Sequence, residues 1–148
     1  MRQTATQPPP AGSAGPIGPW AQTFPGTPDQ LRHVRAALRA VLADFPAVDD
    51  VILLTSELCA NAVLHSGSGR PGGTFTVRLH HDGGRGVHAE VQDQGSTWDG
   101  NLRRAARQPH GLRLVLDLAD ECGADPSSHA CTVWFRIDGP AARRAAPG

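Results

Sequence analysis

Between residues 28 and 137 the apolar positions follow two different periods, and the switches between them divide the chain into elements. Leu31, Val34, Leu38, Val41 and Leu42 recur at spacings of three and four, the period of a helix that buries one face. Thr27-Pro28-Asp29 places a capping residue and a first-turn proline before them, and Phe45-Pro46 stops the run, so a helix is expected over about 28–43. A second helix is expected over about 47–65, closed by Ser66-Gly67-Ser68-Gly69. The pattern then turns to alternation. Phe75, Val77 and Leu79 share one face of a strand over 74–80, and Val87, Ala89 and Val91 one face of a strand over 87–93. Asp82-Gly83-Gly84 would join the two as a hairpin. After a loop rich in arginine and glutamine, Gly111 opens a third helical run through Leu112, Val115, Leu116 and Ala119. Cys131, Val133, Phe135 and Ile137 alternate as a last strand, and Trp20 to Phe24 can add a short one at the front. This order predicts an α+β fold, a two-layer sandwich with helices on one face of a mixed, mostly antiparallel sheet.

Composition narrows the picture. A chain of 148 residues with 39% hydrophobic and 19% charged residues suits one globular domain. Residues 1–19, rich in proline, glycine and alanine, read as a disordered arm, 20–138 as the domain and 139–148 as a flexible tail. Fourteen basic residues balance fourteen acidic ones, so no basic field draws the chain to nucleic acid. Three cysteines, an odd number without a CxxC spacing, argue against a disulfide framework and a structural zinc site and suit reduced thiols in the cytoplasm. No run of apolar residues is long enough to cross a bilayer, and no signal-peptide core is present, so no membrane association is expected.

Chemistry gathers on the second helix. Glu57, Asn61 and His65 are four apart and drift only about 40° per step around the axis. Leu53 and Leu64 flank them on one side of the wheel and Leu54 and Leu58 on the other, so the carboxylate and amide are expected inside the apolar arc. Burying such groups without partners costs roughly 1–3 kcal/mol each. A bound metal, nucleotide or water would satisfy them, and so would a hydrogen-bonded pair inside an ordinary helix packing. Asp93 ends its strand on the same face as Val91, with Gly95 two residues on. It can accept a hydrogen bond from an exocyclic amine such as that of adenine, or it can start an ordinary turn. Gly111 at a helix start can offer backbone amides to phosphate, or fit a tight corner. Arg103, Arg104 and Arg107 form a basic loop that can reach phosphates or stay solvated.

This order of Glu-x-x-x-Asn helix, hairpin ending in Asp-x-Gly, variable loop and Gly-Leu helix start resembles the GHKL superfamily of ATPases and kinases. Within it the chain looks most like the small bacterial anti-sigma regulatory factors with a histidine-kinase-like ATPase domain. The stretch Leu54-Thr55-Ser56-Glu57-Leu58-Cys59-Ala60-Asn61-Ala62-Val63-Leu64-His65 matches the N box, and the likeness spans about 27–137. It implies helices over a sheet, with ATP held under a mobile lid. It further implies that Asn61 coordinates Mg²⁺, that Glu57 is the general base, and that Asp93 reads the adenine amino group beside Gly95. Gly111 and Leu112 would close on the phosphates, with Arg107 from the lid. His65 also matches, without a definite role. The implied activity is that of a cytoplasmic serine/threonine kinase that phosphorylates an anti-sigma-factor antagonist and sequesters a sigma factor, with a homodimer as a family expectation.

Two departures from the family pattern support an alternative. Asp93-Gln94-Gly95-Ser96-Thr97-Trp98 lacks a further glycine, and Gln108-Pro109-His110-Gly111-Leu112 has Pro-His where another glycine is usual. Proline removes an amide donor and histidine adds bulk where backbone would approach phosphate. A non-catalytic protein-binding module with a degenerate ATP pocket is therefore the second reading. A histidine-kinase catalytic domain would need a preceding helix pair with a phosphoacceptor histidine, for which the chain is expected to be too short. A zinc hydrolase using Glu57 and His65 lacks the paired histidines of such sites.

Overall fold

The computed structural model describes residues 19–82, 85–108, 112–127, 129–140 and 142. The proposed N-terminal arm, most of the expected tail, Gly83-Gly84, and the Pro109-His110-Gly111 segment lie outside the described residues.

Five strands form one sheet: β1 (Trp20–Pro25), β2 (Thr74–His81), β3 (Gly86–Asp93), β4 (Glu121–Asp125) and β5 (Cys131–Asp138), in the order β1-β2-β3-β5-β4. The expected layer of helices on an antiparallel sheet is present, and every pairing among the described residues is antiparallel rather than mixed. Alternation along the strands sends Phe24, Phe75, Val77, Leu79, Val87, Ala89, Val91, Val133, Phe135 and Ile137 into one buried layer. Phe24 and Phe75 are opposite one another in the β1–β2 register and stack with centroids 5.6 Å apart. Thr76, Arg78, His80, His88, Glu90 and Trp134 take the other face.

Two long helices cover the inner face. α1 (Leu31–Val41) follows a short 3-10 turn at Pro28–Gln30 and buries Val34 and Leu38. α2 (Val48–His65) carries Asp49 and Asp50 in its first turn, where the amide dipoles favour negative charge, and His65 in its last. Its buried side holds Val51, Ile52, Leu54, Thr55, Leu58, Cys59 and Ala62. Leu53 and Leu64 are 39% and 66% exposed, so the flank they define faces solvent and only the Leu54–Leu58 flank is core. Glu57, half-buried, lies on the wheel beside the exposed leucines rather than inside a closed apolar arc. The hydrophobic count around α2 overstated its buried width because helix surfaces often expose single leucines.

Two short helices follow β3: α3 (Leu102–Ala106), in the stretch expected to be a loop, and α4 (Arg113–Leu118), which realises the third expected helix. α3 is capped by Asn101, whose Oδ1 accepts the Arg104 N–H at 2.9 Å. Strand β4 was absent from the hydrophobic reading because Glu121-Cys122-Gly123-Ala124-Asp125 barely alternates; its pairing with β5 defines it. The chain thus leaves the central strand β3 at Asp93, makes a two-helix excursion, and returns through an edge strand to the central strand β5 at Cys131. Asp93 and Cys131 are opposite each other on the last rung of that pair. No helix among the described residues is long and apolar enough to cross a membrane.

Candidate functional site

The excursion through α3 and α4 opens a cavity of about 410 Å³ over the end of β3 and β5. One wall is the C-terminal half of α2, with Leu58, Asn61, Ala62 and His65. The floor is Val91 and Val133 from the neighbouring central strands, with Asp93 at its edge. The remaining wall comes from Ser96, Trp98, Arg104, Ala105, Gln108 and Leu112. An apolar floor with a few polar groups at the rim is the usual build of a small-molecule site.

Hydrogen bonds and an ion pair orient Asn61, Asp93 and Arg104. Asn61 Nδ2 donates to the Glu57 carbonyl one helical turn back at 2.9 Å, which commits the amide nitrogen. Its carbonyl oxygen has no hydrogen bond among the described residues, and that is the atom able to ligate a hard cation. Asp93 Oδ1 accepts the Gly95 N–H at 2.6 Å. Gly95 has φ of +88°, a conformation that favours glycine and lets the backbone turn under the carboxylate. Burial raises the Asp93 pKa above the ordinary carboxylate value, while hydrogen bonds from the Gly95 and Cys131 backbone amides pull the other way. Arg104 is held at 2.8 Å from Asp99 and lines the cavity from α3. Opposite Asp93 on β5, the Cys131 thiol is pushed up to about 12, first by burial and then by Asp93 and Asp125.

The residues singled out from sequence therefore divide. Asn61, Asp93 and Leu112 line one cavity, with Gly95 bonded to Asp93; Glu57 and Arg107 are not among its lining residues, and Gly111 lies outside the described residues. Arg104 and Gln108 occupy the place expected of Arg107. His65, without an assigned role, faces the cavity. Trp98 and Ser96 were missed as lining groups. Trp98 had a signal, since it is the one large apolar side chain in the polar run 94–101.

A mostly apolar cleft between a helix layer and an antiparallel sheet, with a carboxylate at a strand end and an amide on the facing helix, defines an α+β small-molecule-binding domain. A family model, histidine kinase-like ATPase domain, matches residues 24–137, and the chain belongs to that family. Membership implies ATP as the ligand of the domain. Among solved structures, the fold is similar to the crystal structure of the RsbU and RsbW domains of Rv1364c from Mycobacterium tuberculosis, with a TM-score of 0.64 and 25% identity. That match covers 84% of this chain and 33% of the other, so the chain spans about a third of the length of that chain. A sequence comparison with curated proteins found no match.

Proposed function

We propose that the chain is an ATP-binding regulator of the anti-sigma type, a serine/threonine kinase acting on an anti-sigma-factor antagonist and able to sequester a sigma factor. The observation that carries the reading is the convergence of Asn61 and Asp93, from separate elements, on one cavity in a histidine kinase-like ATPase domain. Likeness to a chain with an RsbW domain supports the regulatory part. In this reading Asp93 accepts a hydrogen bond from the adenine amino group, and the apolar floor of Val91 and Val133 packs against the base.

The residues fit a magnesium ion brought in with the nucleotide. No group of three or more His, Cys, Asp or Glu that could hold a metal occurs among the described residues, so these residues offer no cage. Asn61 Oδ1, with no hydrogen bond among the described residues, is a protein oxygen available to the ion, and Mg²⁺ ordinarily takes one or two protein ligands with phosphates and water completing its shell. When bound, the ion would neutralise charge on the phosphates. Arg104 can add to that neutralisation from α3. Glu57 lies one turn before Asn61 on the solvent-facing side of α2, the side from which a protein hydroxyl would come. As the substrate oxygen bonds to the γ-phosphorus and the bond to the β–γ bridging oxygen breaks, Glu57 would take the hydroxyl proton and ADP would leave.

Pro109-His110 in the phosphate-side segment favours a second reading, a protein-binding module that keeps the fold without phosphoryl transfer. Phosphate transfer from labelled ATP to an anti-sigma-factor antagonist separates the two. Transfer by the natural chain and its loss in Glu57→Ala, with ATP binding retained, is the expected result; absence of transfer to any such antagonist, or equal transfer by the variant, rejects the kinase reading.

A further inference from the structure

The segment between α2 and β2 holds a fully buried serine, Ser68, that the site as described does not use. Close backbone packing fixes its place. A Cβ on Gly26 would fall 1.7 Å, and one on Gly73 2.2 Å, from the Ser68 carbonyl oxygen, so three stretches of backbone meet there with no room for a side chain. Ser66 fastens the same segment to α2. Its hydroxyl donates to the Ala62 carbonyl at 2.6 Å and accepts the Ser68 N–H at 3.0 Å.

From this anchor two hydrogen bonds cross to the end of β3. Ser68 Oγ accepts the Gln94 N–H at 3.0 Å, and the Gly67 N–H donates to the Gly95 carbonyl at 3.0 Å. Gln94 in turn accepts the Thr74 N–H through Oε1 at 2.8 Å. Gly67 packs closely here as well, since a Cβ there would sit 3.2 Å from the Gln94 carbonyl oxygen and force it to give by a few tenths of an ångström. Gln94 is the residue between Asp93 and Gly95, and the Gly95 N–H is what holds Asp93 Oδ1. A continuous series of bonds thus joins Ala62 on one wall of the cavity to the Asp93 carboxylate on another.

We propose that Ser68 is a positioning residue for nucleotide-base recognition: its buried hydroxyl holds the Asp93-Gln94-Gly95 turn at a set distance from α2 and thereby aims the Asp93 carboxylate at the base. The inference rests on the reading of Asp93 as the adenine contact. A buried hydroxyl that merely filled space would act on stability alone. A hydroxyl that aims Asp93 at position 6 acts on an interaction that distinguishes a 6-amino purine from a 6-oxo purine. At that position the amine donates to a carboxylate, whereas the oxo oxygen is an acceptor that repels it, the N1–H donor of the 6-oxo base lying one ring atom away.

The test compares ATP with inosine triphosphate, which carries the 6-oxo group, by calorimetric titration of the natural chain and of Ser68→Ala, with thermal unfolding recorded for both. The natural chain is expected to prefer ATP. In Ser68→Ala that preference should fall about tenfold, the factor that one hydrogen bond of ordinary strength represents, while inosine triphosphate affinity stays nearly constant. If Ser68→Ala fails to fold, Ser68→Cys, which keeps the size with a weaker acceptor, should show a reduced preference. An unchanged ATP preference in a folded variant, or equal weakening of both nucleotides, overturns the proposal. Binding of neither nucleotide by the natural chain rejects the ATP reading itself, and this inference with it.

Discussion

Asn61→Ala should separate a ligand-binding role from a structural one. The change removes the Nδ2 bond to the Glu57 carbonyl, a part-buried hydrogen bond of 2.9 Å whose net worth is about 0.5–1.5 kcal/mol. Alanine returns up to about 0.7 kcal/mol through its higher helix propensity at an interior position of α2. The Glu57 carbonyl keeps its role as an acceptor within the helix, so no buried group is orphaned. Net destabilisation should therefore stay at or below about 1 kcal/mol, roughly 4 °C in thermal midpoint for a domain of this size. Nucleotide binding should respond far more. Losing an oxygen that faces a cation is worth about 1.5–3 kcal/mol, which is roughly ten- to a hundredfold in ATP affinity. Calorimetric titration with ATP in magnesium and again in chelator is the assay, beside thermal unfolding. The loss should appear in magnesium and nearly vanish in chelator. An equal loss under both conditions, or a midpoint drop well beyond 4 °C, would refute the assignment of Asn61 to the metal.

Leu54→Ala, at a fully buried position, should lower stability by about 2–5 kcal/mol in denaturant unfolding, whereas Leu64→Ala, 66% exposed on the same helix, should change it by under about 0.5 kcal/mol. Equal effects would mean that α2 is rotated from the orientation described. Asp93 has its pKa raised by burial, so the folded state holds the proton more tightly than the unfolded chain, and this group's stability contribution is lost as pH rises from the ordinary 3.8 through the raised value. The thermal midpoint of Asp93→Asn minus that of the natural chain should accordingly become more positive between about pH 4 and pH 7; a constant or falling difference contradicts the burial of the carboxylate. Burial holds the Cys59 thiol well above its usual range and pushes Cys131 up to about 12, so thiol-reactive reagents at neutral pH should label Cys122 first and reach the other two only on unfolding. Fast labelling of Cys131 in the native state would be the contrary result.

The alternating and helical periods located most elements within a residue or two, because each such element buries a regular face. Strand β2 was expected over 74–80 and runs over Thr74–His81; α2 was expected from 47 and starts at Val48. What failed was whatever lacked a regular face. β4 exists through its hydrogen bonds to β5, with Gly123 lying under the Trp134 indole where a Cβ would come within 2.7 Å of Nε1. α3 is a five-residue helix set by the Asn101 cap, too short for periodicity to register. The polarity of Asn61 and Asp93 conflicts with their places on apolar faces, and both line the candidate cavity. Around Glu57 the wheel arithmetic treated Leu53 and Leu64 as core, whereas both are exposed. Trp98 and Ser68 act through tertiary geometry, one closing a cavity wall and the other bonding to Gln94, a residue 26 positions away in sequence.

Whether the cavity between α2, β3 and α3 receives ATP can be read from a heteronuclear NMR titration of the natural chain with ATP and Mg²⁺, following the Asn61 side-chain amide and the three tryptophan indoles. Saturable shifts are expected at Asn61 and Trp98, which line the cavity, and none at Trp134, which lies on the opposite face of the sheet, or at Trp20 in β1. No shift at millimolar ATP, or shifts centred on Trp134, would contradict ATP binding in this cavity.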